Sequence, residues 1–260
     1  MPRIKSGITE LDSMLMGGFM ENDAVMLAGS AGAGKTTLAL QYLVSGIVNY
    51  SDPGIYVTFE QLPDQIYRDA KNLGWDLRKM EEENQLRVIC TSPDLMFTTE
   101  DGESIIDFPI DEIRPKRIVI DSLSHLSMFS EGKNFRLETY RLVSWLKMKN
   151  LSSLLLWETS NIMGQLSSIS DNGLSFLVDS IILLKPVEID STIRKALVIL
   201  KMRGSDHDKK LREYEITSKG IVVAAPFANY EGIMSGNARK VVVLEQATQN
   251  FTDAFSRKRH

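Results

Sequence analysis

A glycine-rich stretch that ends in a lysine and two threonines is the part of the sequence best suited to chemistry. Glycines allow successive backbone N–H groups to converge on phosphate oxygens, because side chains there would obstruct the approach. The spacing of glycines, lysine and threonine matches the phosphate-binding P-loop pattern in full. The sequence therefore predicts a site for ATP. Its residues are Gly29, Ser30, Ala31, Gly32, Ala33, Gly34, Lys35 and Thr36.

The residues at the end of this stretch have separate expected roles. Lys35 supplies a full charge near the β- and γ-phosphates, and Thr36 offers a hydroxyl to Mg²⁺. Thr37 is expected to cap the following helix or to contact the α-phosphate. The alternative is a glycine-rich turn with an exposed lysine, but the strand before the loop and the helix after it favour the P-loop.

Two acidic residues stand where predicted strands end. Asp121 follows the apolar run 117–120, which suits a carboxylate partner of Mg²⁺ close to the P-loop. Glu60 follows the run 55–59, and ligands of a parallel sheet lie at the carboxyl ends of its strands. We expect Glu60 to polarise the water that attacks the γ-phosphate. The alternative at both positions is an acidic residue that merely ends a strand.

The apolar pattern places these residues in an α/β fold. A strand over 24–28 precedes the loop and a helix over 37–48 follows it. After the strand at 55–59, Pro63 suits the first position of another helix. Alternation of this kind indicates a mainly parallel sheet flanked by helices. Further strands are predicted at 86–90, 117–120 and 153–157, with a helix between the last two that turns Leu142, Trp145 and Leu146 inward.

Beyond Asp179 the pattern changes to strands without intervening helices. This change predicts an antiparallel C-terminal extension at one edge of the sheet. The predicted strands cover 181–184, 194–201, 212–216 and 221–224.

Composition and charge restrict the class of protein to which the chain can belong. The chain of 260 residues is 43% hydrophobic and 25% charged, as expected for one large globular core. The formal charge of -4 argues against nucleic acid as a partner. No apolar run is long enough to cross a membrane and no secretory signal pattern is present, so we expect a cytoplasmic protein without membrane contact. The single cysteine, Cys90, lies in an apolar run and is predicted to be buried.

Several segments together resemble the KaiC family within the RecA-like ATPases. The likeness covers about residues 5–240. We assign residues 1–240 to one KaiC/RecA-like ATPase domain and 241–260 to a C-terminal tail. The segments that carry it are the P-loop and Ser6-Gly7-Ile8, Leu11-Asp12, Gly17-Gly18, Phe59-Glu60, Ile120-Asp121-Ser122-Leu123-Ser124, Lys201-Met202-Arg203-Gly204-Ser205-Asp206-His207-Asp208 and Tyr214-Glu215-Ile216-Thr217-Ser218-Lys219-Gly220.

The resemblance implies a homo-oligomeric ring, a hexamer, with ATP held between neighbouring subunits. Lys201 and Arg203 would then reach the phosphates of the neighbour, where a cation neutralises charge on the transferred phosphoryl group. Met202, Ser205 and His207 would line the same shared site. The alternatives are a solvated basic strand end and a structural histidine.

This sequence departs from the family pattern at two places. The family's adjacent pair of glutamates is Glu60-Gln61 here, so only one carboxylate remains. The family's phosphorylated Ser-Thr pair falls on Ser175-Phe176, and Phe176 has no hydroxyl, which removes a two-site phosphorylation cycle. Weak autokinase activity at Ser175 is less favoured than a serine that caps or faces solvent.

The leading hypothesis is a regulatory or signalling ATPase that hydrolyses Mg-ATP at subunit interfaces. Its expected catalytic residues are Glu60, Lys35, Arg203 and Lys201. One alternative is a nucleotide-switched scaffold with little turnover, and another is a recombinase-like DNA-binding ATPase, which the acidic balance argues against. The sequence does not identify a protein partner.

Overall fold

The computed structural model describes residues 2–97, 104–129, 133–159, 173–235 and 238–240. The helices in these ranges are α1 (Thr9–Met14), α2 (Lys35–Tyr50), α3 (Pro63–Asn72), α4 (Leu77–Glu82), α5 (Pro93–Phe97), α6 (Asp107–Ile113), α7 (Leu123–Phe129) and α8 (Lys133–Met148). The strands are β1 (Arg3–Ile4), β2 (Phe19–Met20), β3 (Ala24–Gly29), β4 (Gly54–Thr58), β5 (Leu86–Cys90), β6 (Arg117–Asp121), β7 (Ser152–Glu158), β8 (Ser180–Ile189), β9 (Thr192–Met202), β10 (Arg212–Thr217), β11 (Gly220–Pro226), β12 (Tyr230–Glu231) and β13 (Arg239–Lys240).

One mixed sheet organises the fold. Among the described residues it has nine strands in the order β11-β10-β9-β8-β3-β7-β6-β4-β5. The six strands from β8 to β5 are parallel, and β9, β10 and β11 continue the sheet in antiparallel fashion. The predicted α/β class, with a mainly parallel sheet and an antiparallel C-terminal extension, is confirmed.

Apolar side chains are buried on both faces of the sheet. Alternate residues of β3 point to opposite faces, so that Val25 and Leu27 join one core while Ala24 and Met26 join the other. Helix α2 covers the first face and α8 the second. Strands covered on both sides read as continuous apolar runs, which explains why their positions could be predicted from the sequence.

The parallel strands bring separate segments to one edge of the sheet. Gly29 at the end of β3 is level with Glu158 at the end of β7, and Thr58 of β4 is level with Asp121 of β6. The loop that joins β3 to α2 starts at this same edge. The fold therefore gathers the P-loop and the acidic strand ends that the sequence singled out.

Three details differ from the sequence-based expectation. The strand predicted at 181–184 was placed in the antiparallel extension, but β8 pairs parallel with β3 inside the sheet, so the antiparallel part begins at β9. Strand β8 runs over Ser180–Ile189, well past the predicted 181–184. The prediction that Cys90 is buried was wrong, because the residue is exposed. It ends β5, the outermost strand of the sheet, and no described strand covers its outer side.

The predicted tail, 241–260, lies outside the described residues. Within the part of the chain that the structure covers, every helix is too short or too polar to cross a membrane.

Candidate nucleotide-binding site

The P-loop connects the end of β3 to the first turn of α2. Gly34 precedes the helix with φ of 92° and no side-chain capping bond, so the first N–H groups of α2 have no side-chain acceptor there. A Cβ on Gly34 would lie 2.7 Å from Ile216 Cδ1, and only glycine adopts this backbone without strain. A helix start with such amides is a favourable place for an anion.

Lys35 lies against the backbone of the loop. Its Nζ donates to the carbonyl oxygens of Gly29 (3.0 Å) and Ser30 (2.9 Å) and is 3.7 Å from Glu158 Oε2. Burial lowers the pKa of Lys35, while the charges of Glu158 and Asp121 oppose that shift. The ammonium group is thus held at the loop, where a phosphate would meet it.

Thr36 and Asp121, the expected metal pair, are in contact. Thr36 Oγ1 donates to Asp121 Oδ2 at 3.1 Å, and the buried Tyr56 hydroxyl donates to the same oxygen at 2.5 Å. Burial raises the pKa of Asp121, and these two hydrogen bonds oppose the shift. A hydroxyl and a carboxylate are the hard oxygen donors that Mg²⁺ prefers, so the residues fit this metal.

Glu60 extends from the loop after β4. Thr58 Oγ1 accepts hydrogen bonds from the backbone N–H groups of Glu60 (3.3 Å) and Gln61 (3.0 Å), which fixes the backbone there. The Glu60 side chain is 69% exposed, and its Oε2 lies 3.4 Å from His125 Nε2. The Gln61 Oε1 atom is buried and has no hydrogen-bond partner among the described residues. The candidate base is therefore open to solvent at the edge of the sheet that carries the P-loop.

Lys201 and Arg203 lie at the opposite end of the strands from the P-loop, where β3 begins. Strand β9 runs antiparallel to β8, so its end is level with Ser180, which pairs with Val25 at the start of β3. The run from Val25 to Gly29 separates this end from the P-loop by about 13 Å, at a rise of about 3.3 Å per residue. These two cations therefore do not join the P-loop of their own chain.

The side chains of both cations are held by their own subunit. Lys201 Nζ donates to the carbonyl oxygens of Ser175 (2.7 Å) and Val178 (2.6 Å). Arg203 Nη1 lies 3.3 Å from Asp179 Oδ1, and its side chain is 57% exposed. The Arg203 guanidinium thus points from an anchoring carboxylate toward solvent.

The other residues expected at the shared site have different surroundings. Met202 is packed into the core, Ser205 Oγ accepts a hydrogen bond from Arg3 Nη2 at 2.7 Å, and His207 Nδ1 is buried without a partner in the described ranges. Ser175 lies in a short 3-10 helix, Leu174–Phe176, next to a Phe176 side chain that is 70% exposed. Their roles stay predictions.

Sequence reasoning missed two residues that contact the P-loop. Lys195 Nζ on β9 donates to the Gly32 carbonyl oxygen at 2.9 Å. The buried Tyr214 hydroxyl on β10 donates to the Ala33 carbonyl oxygen. The sequence does not show which lysine or tyrosine of a strand will contact the P-loop. These hydrogen bonds depend on where β9 and β10 lie relative to the loop in the folded chain.

The fold and the loop together define a RecA-like P-loop nucleotide-binding protein. A family model described as "ATPase: KaiC" matches residues 4–227. The chain therefore belongs to the KaiC ATPase family, which confirms the resemblance.

Relatives of the same family cover nearly all of this chain. It is 36% identical to "Circadian clock protein KaiC3" of Synechocystis sp. over 90% of its length and 46% of the relative. It is 36% identical to "Circadian clock oscillator protein KaiC" of Nostoc sp., over 94% of this chain and 47% of that protein. The corresponding protein of Synechococcus elongatus is 34% identical over the same shares. The chain thus spans about half the length of these relatives.

Proposed function

We propose that the protein is a cytoplasmic regulatory ATPase that hydrolyses Mg-ATP at the interfaces of a homo-oligomeric ring, a hexamer. The observation that carries this proposal is the separation of two half-sites, which lie at opposite ends of the strands of one sheet. The P-loop lies at one end, and Lys201 and Arg203 lie at the other. A head-to-tail ring brings unlike surfaces of neighbouring subunits together, so each interface would join one P-loop to one pair of cations.

The residues around the P-loop suit hydrolysis by in-line attack of water. Lys35 would bind the β- and γ-phosphates, and Thr36 with Asp121 would hold Mg²⁺, which shields the phosphate charge when it is bound. Glu60 would orient the attacking water and accept its proton. Arg203 of the neighbouring subunit would neutralise charge that develops on the transferred phosphoryl group.

The exposure of Glu60 supports a second candidate function. A carboxylate that is 69% exposed is less well held than a buried base, and efficient catalysis needs a fixed geometry. In this reading ATP occupancy would control assembly and the binding of a protein partner, with little turnover. ATP-dependent assembly without hydrolysis would favour this scaffold over the ATPase.

Mixing two inactive variants tests the shared site directly. Lys35→Ala should remove phosphate binding but keep Arg203, whereas Arg203→Ala should keep the P-loop but lose the cation. In a random equimolar mixture, about a quarter of the head-to-tail interfaces would combine an intact P-loop with an intact arginine. We expect the mixture to recover ATP turnover that neither variant shows alone.

Control mixtures define the outcome. Each variant by itself should stay far below the natural rate of turnover. Light scattering should show that Arg203→Ala, which keeps its P-loop, and the mixture both assemble with Mg-ATP. No recovery in a mixture that forms mixed rings would contradict a site shared between subunits. Activity of Arg203→Ala alone at the natural rate would remove the arginine from the mechanism.

A further inference from the structure

Among the residues that the structure describes, His125 is the side chain within ion-pair distance of Glu60. Its Nε2 lies 3.4 Å from Glu60 Oε2, and its Nδ1 lies 3.1 Å from Ser122 Oγ. The imidazole therefore bridges a buried hydroxyl beside Asp121 and the exposed carboxylate of the candidate base. Nothing in the sequence pattern marked His125, because it lies on α7 and Glu60 on the loop after β4.

The imidazole is better fixed than the carboxylate that it faces. The His125 side chain is 25% exposed against 69% for Glu60. The start of α7 is held by the His125 backbone N–H, which donates to the Ser122 carbonyl oxygen at 3.1 Å. It is also held by Ser124 Oγ, which accepts from the Glu158 backbone N–H at 2.7 Å. The ring thus sits on a framework that is tied to two neighbouring strand ends.

The geometry defines how the two ring nitrogens are used. When the Ser122 hydroxyl donates to Nδ1, the other nitrogen carries the proton, so its N–H is available to the carboxylate, whose Oε2 lies 3.4 Å from Nε2. A donor at that position restricts the rotamers of an otherwise free glutamate. Restricting the base to one orientation lowers the entropic part of the barrier to attack by water.

We propose that His125 is a positioning residue that holds the Glu60 carboxylate toward the attacking water, with Ser122 fixing the ring. The inference rests on the proposed ATPase function and adds a residue to it. His125 does not touch the phosphates in this assignment. Its removal should therefore lower kcat and leave the affinity for ATP unchanged.

Three substitutions at one position separate positioning from mere packing. A glutamine side chain can place its amide nitrogen near the position of Nε2, whereas an asparagine reaches only as far as Nδ1. His125→Ala and His125→Asn should each lower kcat about tenfold, which corresponds to about 1.4 kcal/mol of transition-state stabilisation. His125→Gln should stay within about threefold of the natural kcat. Ser127→Ala, which removes a hydroxyl from the same helix, should keep the natural rate.

The assay is Mg-ATP turnover with separate measurement of ATP binding and of the unfolding midpoint for each variant. We expect kcat to be highest for the natural chain, slightly lower for His125→Gln, and lowest for His125→Asn and His125→Ala. The affinity for ATP should be the same in all four proteins. A natural kcat in His125→Ala would overturn the inference, as would a glutamine variant no better than alanine. Glu60→Gln, measured in the same assay, shows whether a negative result concerns only His125 or the proposed ATPase as a whole. If Glu60→Gln stops turnover and His125→Ala does not, only the role of His125 is lost, whereas a natural chain without turnover removes the proposed ATPase as well.

Discussion

Removing the charge of Asp52 should destabilise the protein strongly, because that carboxylate is the partner of a buried arginine. Arg117 at the start of β6 is 1% exposed and pairs with Asp52 Oδ2 at 2.8 Å, and the Asp52 side chain is itself 7% exposed. The guanidinium also donates to the carbonyl oxygens of Lys5 and Tyr42 and lies 4.7 Å from the centre of the Tyr42 ring. Strand β6 leads from this anchor to Asp121 at the site.

The size of the effect follows from the burial of the pair. Breaking a buried ion pair by removing one partner costs about 3–5 kcal/mol, because the other charge is left uncompensated. Asp52→Asn keeps one oxygen that accepts a hydrogen bond, so we expect the lower end, about 3 kcal/mol. For a domain of this size that loss lowers Tm by about 6–12 °C.

Lys116 provides a matched control for this prediction. Its Nζ lies 3.1 Å from the other oxygen of Asp52, but its side chain is 58% exposed. An exposed pair contributes at most about 1 kcal/mol, so Lys116→Ala should change the free energy of unfolding little. Urea unfolding of both variants checks the contrast. An Asp52→Asn variant within about 1 kcal/mol of the natural chain would refute the reasoning, and so would an equal loss in Lys116→Ala.

Three further predictions concern the site and its far edge. Arg203→Ala should lower turnover at least about tenfold yet leave ATP binding by isolated subunits unchanged; equal loss in isolated binding would place the arginine in its own site. Lys195→Ala should weaken ATP binding about three- to tenfold, roughly 1 kcal/mol, because a cation held 2.9 Å from the Gly32 carbonyl oxygen is removed; calorimetry with an unchanged Kd would contradict this. Burial and the charge of Asp179 raise the pKa of Asp23 to about 7, so the contribution of Asp23 to stability should fall as pH rises from about 4 to about 7. Asp23→Asn should reduce that fall and raise the free energy of unfolding at pH 8 by about 1–2 kcal/mol, whereas no gain at pH 8 would count against it.

The parts of the site that follow local rules could be predicted from the sequence. The P-loop needs a particular run of glycines, and the strand before it and the helix after it are marked by apolar periodicity. The contact between Thr36 and Asp121 could also be expected, because parallel strands place their carboxyl ends at one edge. The structure realises that contact at 3.1 Å.

Features that depend on how distant segments meet could not be predicted in this way. Periodicity does not give strand direction or strand order, so neither the parallel pairing of β8 with β3 nor the edge position of Cys90 was visible. The contacts of His125 with Glu60 and of Lys195 with Gly32 join segments that are far apart in sequence. Such contacts arise where α7 and β9 meet loops that follow other strands, and no residue pattern within one segment records them.

The most direct test of the central claim is ATP turnover together with oligomer mass by light scattering, with and without Mg-ATP, for the natural chain and Glu60→Gln. We expect slow turnover by the natural chain, no turnover by Glu60→Gln, and a nucleotide-stabilised ring in both. An unchanged rate in Glu60→Gln would contradict the role of Glu60. A lack of turnover in both proteins would contradict the ATPase, and assembly that still depended on ATP would then indicate a nucleotide-switched scaffold.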